Sequence, residues 1–155
     1  MLQPIRKLGY LLISMTTFLL AVPLCPSLAQ TASTIQLKAG PHLISAEVAA
    51  TPDSRDHGLM KRKSLAPDRG MLFIFPEAHR HCMWMKNTDL PLSVAFLEDN
   101  GAVVNIADMK PHTENYHCAA RPIRYALEMN SGWFLRKGLG PGSIVIGLEK
   151  APGGR

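Results

Sequence analysis

Apolar and polar residues alternate along positions 34–39, with Ile35, Leu37 and Ala39 on one side. This period of two predicts a strand there. Gly40-Pro41 marks a turn, and apolar members from Leu43 or Ile44 to Val48 predict a second strand over 42–50. Thr51-Pro52-Asp53 has the form of a helix start: a hydroxyl cap, a proline and an acidic first turn. The helix is expected to end at Lys61 or Arg62, with Gly58 inside it as a sign of close packing. After a turn at 66–70, the unbroken apolar run 71–75 predicts a buried strand that Pro76 ends. Segments 81–85, 92–97, 102–106, 124–129 and 143–148 read as further strands, with Asn100-Gly101 as a hairpin turn. Residues 109–122 lack any period and read as a long loop. Ser131 is expected to cap a short helix over 133–137 that Gly138 stops, with Trp133 and Phe134 plugging one end of the fold. The tail from Glu149 is expected to fray. Seven or eight short strands with two short helices make a mainly β chain, a β-sandwich or a small barrel.

The pattern before residue 30 is of another kind. Arg6 and Lys7 precede an apolar stretch over 8–22, Pro23 and Pro26 break it, and Ser27-Leu28-Ala29 supplies small residues for cleavage before Gln30. This predicts a signal peptide over 1–29, a single β domain over 30–155, and a periplasmic or secreted protein. An uncleaved anchor is the rival reading. The stretch falls short of the roughly 20 residues of a usual span, and Gly9, Ser14, Thr16 and Thr17 dilute it. Acylation at Cys25 is a third reading, opposed by the bulky Leu24 before it.

Composition adds that the chain is globular: 155 residues, 46% hydrophobic and 19% charged. The formal charge of +5 falls to +3 on 126 residues once the leader leaves with Arg6 and Lys7. That charge is mild and scattered, with only Lys61-Arg62-Lys63 clustered, so no nucleic-acid partner is expected. The leader also removes Cys25, which leaves Cys82 and Cys118 as a pair.

Several segments in order carry a resemblance. They are Gly58-Leu59-Met60 with Arg62, Gly70-Met71-Leu72-Phe73, Trp84-Met85-Lys86-Asn87-Thr88, Pro91-Leu92, Phe96, Tyr125-Ala126-Leu127-Glu128 and Gly132-Trp133. Together, over roughly 44–148, they resemble family one hundred and ninety-two of the domains of unknown function, found in bacteria and archaea. The resemblance implies a jelly-roll-like β-sandwich, often secreted, with no assigned activity. Many members carry an aspartate after the Pro-Leu pair, where this chain has Ser93.

Three kinds of site remain to be weighed. Lys86, Asn87, Thr88 and Asp89 place a cation, an amide, a hydroxyl and a carboxylate at a strand end beside Trp84, with Arg62 and Glu128 as partners across the fold. Polar groups beside apolar walls make a small-ligand pocket. The same residues also read as turn chemistry, with Lys86 paired to Glu128 or Asp89. A second set, His79, His81, Cys82, Met83, Met85, His112, His117 and Cys118, offers soft ligands for copper or zinc. Its spacing is not that of a zinc finger, and adjacent strand residues such as His81 and Cys82 face apart. A Cys82–Cys118 disulfide is the simpler reading; closing a separation of 36 residues, it contributes roughly 3–4 kcal/mol in the chain-entropy model. Third, an envelope hydrolase would draw on Asp89 with Glu98 or Glu128. No G-x-S-x-G motif is present, and Ser93, Ser131 and Ser143 have no nucleophile setting. The expectation is a non-catalytic binding domain using Arg62, Trp84, Lys86, Asn87, Thr88 and Glu128. Its partner is a small polar or anionic ligand or an envelope protein. It is expected to be a monomer without cofactor, metal or, after cleavage, a membrane span.

Overall fold

Seven strands form one mixed sheet in the order β6-β5-β8-β3-β2-β1-β9 in the computed structural model, which describes residues 33–155. They are β1 (Thr34–Ala39), β2 (His42–Ala49), β3 (Arg69–His79), β5 (Leu92–Leu97), β6 (Val103–Met109), β8 (Ile123–Asn130) and β9 (Val145–Ile146). A separate two-stranded ribbon pairs β4 (Cys82–Met83) with β7 (His117–Cys118). Two short helices, α1 (Pro52–His57) and α2 (Trp133–Arg136), complete the mainly β fold. The leader expected over 1–29 lies outside the described residues. No helix among those residues is long and apolar enough to cross a membrane.

The sheet curls until its two margins meet. The Val103 N–H donates to the Ser143 carbonyl at 2.8 Å, and the Val145 N–H donates to the Gly101 carbonyl at 2.9 Å. Of the two architectures expected, the single curled sheet is nearer the small barrel. All neighbouring pairs are antiparallel except β2 and β3, which run parallel because α1 and the segment after it carry the chain across.

Alternation along the central strands divides the core in two. Leu72, Ile74, Ala95, Leu97, Leu127 and Met129 face the inside of the curl, where Trp133 and Phe134 of α2 close one end as expected. Met71, Phe73, Val94, Phe96 and Ala126 face outward and are also buried. Their cover is a cap of loops that contributes Leu59, Met83, Met85 and Ala119.

Several boundaries differ from expectation for local reasons. Helix α1 begins as read, with Thr51 and Ser54 exchanging cap hydrogen bonds and Pro52 opening the helix. It ends at His57 rather than Lys61, because Gly58 takes φ 47°, ψ −132° and turns Leu59 into the core. Close packing at Gly58 is real, since a Cβ there would meet Phe73 Cζ at 3.1 Å. Strand β3 continues past Pro76 to His79; the register to β8 breaks between Ile74 and His79, so no ladder bond is asked of the proline. The strand expected over 81–85 is only Cys82–Met83, and Trp84–Asp89 is a loop. Within the expected loop over 109–122, His117–Cys118 forms β7. Helix α2 is capped by Gly132 at φ 70°, not by Ser131. The tail holds a 3-10 turn at Leu148–Lys150, with Leu148 buried.

Gly101 sits where the curl closes. Its φ is +82°, and a Cβ would collide with the Val145 carbonyl oxygen. Gly101→Ala is expected to lower the unfolding free energy by about 2–3 kcal/mol, read as a lower urea midpoint at unchanged slope. An unchanged midpoint would show that this seam does not contribute to stability.

Candidate functional site

Glu128 lies on β8 on the outward face of the sheet, opposite Met71 of β3 and Val94 of β5. It is 3% exposed, and no hydrogen bond or ion pair joins its carboxyl to any described residue. Every fully enclosed side-chain polar atom among the described residues has a partner. The unpaired carboxyl oxygens therefore face open space. That space is a slot of about 30 Å³, lined by the end of α1, Gly58, Leu59 and Met60, by Phe73, and by Met83, Trp84 and Thr88. It has room for one or two groups the size of a water molecule.

The walls are held from several directions. Met85, fully buried, anchors the Trp84–Asp89 loop in the outer core. The Met85 N–H donates to the Thr113 carbonyl at 3.1 Å, and Asn87, at φ 56°, accepts from the Lys61 N–H at 2.9 Å. The Cys82–Cys118 disulfide joins β4 to β7 behind the loop. Asn105 ties that ribbon to β6, donating to the Cys118 carbonyl at 3.2 Å and accepting from the Ala120 N–H at 2.9 Å.

Of the six residues expected to form the site, the structure brings Trp84, Thr88 and Glu128 to the slot. Arg62 does not join them. Its guanidinium donates two hydrogen bonds, 2.7 and 2.5 Å, to the carboxylate of Glu47 on β2. Lys86 pairs with neither Glu128 nor Asp89; its ammonium lies 5.2 Å from the ring centre of Trp84, and that ring stacks on Tyr116. Asn87 serves the loop's backbone. Asp89 is held by Lys63 at 2.8 Å and His112 at 3.0 Å, and the Lys63 hydrogen bond leads in lowering its pKa below the usual 3.8.

Glu47 was missed by sequence reasoning. A glutamate within an apolar strand was the available signal, since such a residue is rarely buried unless paired. It occupies the same cross-strand row as Glu128, with Met71 between them. Ser93 lies on the opposite face. Its hydroxyl bonds Asp108 and accepts from the Gly132 N–H at 2.7 Å, so it fixes the start of α2.

The other chemistries disperse. No group of three or more His, Cys, Asp or Glu side chains is placed to hold a metal ion among the described residues. Met83 and Met85 are core, both cysteines are in the disulfide, and His81 stacks on Phe75 at 3.7 Å.

Burial raises the Glu128 carboxyl from the usual 4.5 to about 8. The folded protein then retains a proton that the unfolded chain releases. The contribution of Glu128 to stability is fully present below about pH 4.5 and is lost as pH rises through 8, by about 5 kcal/mol at most. Glu128→Gln keeps the shape and removes the charge. Urea titrations at pH 5 and pH 8.5 are expected to show this decline in the wild type and not in the variant, which becomes the more stable of the two at pH 8.5. A wild-type curve flat over that range would mean that the carboxyl is solvated.

The DUF192 family, described as an uncharacterized ACR, matches residues 34–146. No curated protein matches the chain. Among solved structures it is similar to a putative transcription regulator from Sinorhizobium meliloti 1021, with 36% identity, a TM-score of 0.72, and coverage of 74% of this chain and 94% of that one. It is also similar to a protein of unknown function from Novosphingobium aromaticivorans DSM 12444, with 30% identity, a TM-score of 0.72, and coverage of 81% and 93%. The family match spans the sheet, the cap and every residue of the slot. This chain belongs to the DUF192 family.

Proposed function

We propose that the protein is a non-catalytic binding domain of the periplasm or the extracellular space, and that the slot above Glu128 takes one small polar group of its ligand. One observation carries the reading: a carboxyl that is buried, unpaired and open only to the slot. A buried polar group without a partner costs about 1–3 kcal/mol, and a ligand that completes its hydrogen bonding recovers that cost. Leu59, Phe73, Met83 and Trp84 supply the apolar walls that small-ligand sites use. The leader pattern at 1–29 and the disulfide support an oxidising compartment.

An envelope hydrolase is the second reading, favoured by the same carboxyl. Burial keeps Glu128 protonated near neutral pH, the state a general acid needs. Its weakness is the lack of a companion, because the only other carboxylate lining the slot is the exposed Asp56.

Two measurements check the proposal. Butylamine, butanol, butanamide and butyrate are titrated at millimolar concentration against the isotopically labelled protein. At least one is expected to shift the amide resonances of Gly58, Met83 and Thr88; silence from all four removes the slot as a binding site. Intact mass of protein recovered by osmotic shock is expected to begin at Gln30. A chain that starts at Met1 in the membrane pellet would mark an anchor instead.

A further inference from the structure

We propose that the group entering the slot is a primary ammonium, which supplies the counter-charge that the Glu128 carboxyl lacks. This rests on the binding reading above and narrows it. The Arg and Lys side chains nearby are committed elsewhere. Arg62 closes on Glu47. Arg55 spends its guanidinium on the main-chain carbonyls of Ala50, Ile74 and Arg155, at 2.9 Å each. Lys63 is on Asp89, and Lys86 lies over Trp84. Glu47 and Glu128 sit in one row of the same face, two strands apart, roughly 10 Å. One has an internal cation and the other has an opening.

Size and surroundings choose among visitors. The slot holds one or two water-sized groups, which admits an ammonium and excludes the planar guanidinium. An anion would meet a carboxyl at the floor and Asp56 at the rim. A neutral hydroxyl would gain one hydrogen bond to the protonated acid, whereas an ammonium gains a full charge attraction to the carboxylate, which strengthens where water is scarce. The Thr88 hydroxyl is a further acceptor beside the carboxyl.

The charged groups facing the slot are Arg55, Asp56 and His57 from α1, with Lys86 just outside over Trp84; the β3 wall, Phe73, carries no charge. His57 is the imidazole among the lining residues, so the test is run on the wild type and on His57→Gln. When ammonium binds, the Glu128 proton leaves to solvent and a carboxylate–ammonium pair forms.

Butylammonium is titrated by calorimetry from pH 6 to 9, in buffers of different ionisation enthalpy, beside butylguanidinium, butanamide and butyrate. The Kd for butylammonium is expected to fall about tenfold per pH unit up to pH 8 and to level off above it. Nearly one proton is released per ligand at pH 6, in both proteins. Butylguanidinium binds at least tenfold more weakly, and Glu128→Gln loses the butylammonium response. Should that variant misfold, proton release by the wild type decides alone. Comparing butylammonium with a blocked lysine amide tells a free amine from a lysine side chain. Tighter binding of butanamide, weakening above pH 8, would overturn the ammonium while leaving the slot a binding site. No response at Gly58, Met83 and Thr88 to any probe would overturn both.

Discussion

Strands β3, β8 and β5 have no solvent face along their central residues, and the rest of the molecule is arranged to make that possible. One side is closed by the curl of the sheet and by Trp133 and Phe134 of α2. The other cannot be closed by the sheet, so loops must do it. Leu59, Met83, Met85 and Ala119 are the parts of those loops that reach the sheet. Everything else in the cap — the disulfide ribbon, the left-handed Asn87, the Lys61 and Thr113 hydrogen bonds — holds these four contacts in place. Burying a central strand on both faces leaves little tolerance for charge, which makes the two glutamates in the outer face informative.

Those glutamates meet one problem in two ways. Glu47, on β2 nearer the margin, is reached by Arg62 from the segment after α1, and the bidentate pair leaves its carboxylate satisfied. Glu128, one strand further in than Met71, is beyond that arginine and stays unpaired. A protein that needed only a filled core would place an apolar residue there, since an unpaired buried acid is a cost without structural return. The cost is retained at a place where the cap leaves an opening. The binding proposal rests on that coincidence of burial, missing partner and opening.

Much of the architecture was legible in the chain, because most strands announce themselves by period or by an apolar run. Met71–Phe75 reads as buried, and its first four residues are, with Phe75 half-buried. Leu92–Leu97 reads as a strand, and all six of its residues are buried because loops cover its outer face. The parallel pairing of β2 with β3 was not legible: pattern specifies faces, not neighbours. Trp84, Thr88 and Glu128, named from residue type, line the slot together. Arg62 lies away from the slot because its guanidinium is taken up by Glu47, a contact that residue type does not specify. The turn nature of 84–89 was hidden by Met83 and Met85, whose burial two apart imitates a strand.

Cys82 and Cys118 face each other in a ribbon that shares no strand with the main sheet. The curled sheet closes on its own hydrogen bonds, whereas the cap closes on a covalent one. Oxidised and reduced chains would then differ in where local opening is easy rather than in whether the molecule folds. Amide exchange would quicken in the loops carrying Trp84 and Thr88 while β2, β3 and β8 stayed protected. The redox state of the surroundings is thereby written into the mobility of one wall of the slot.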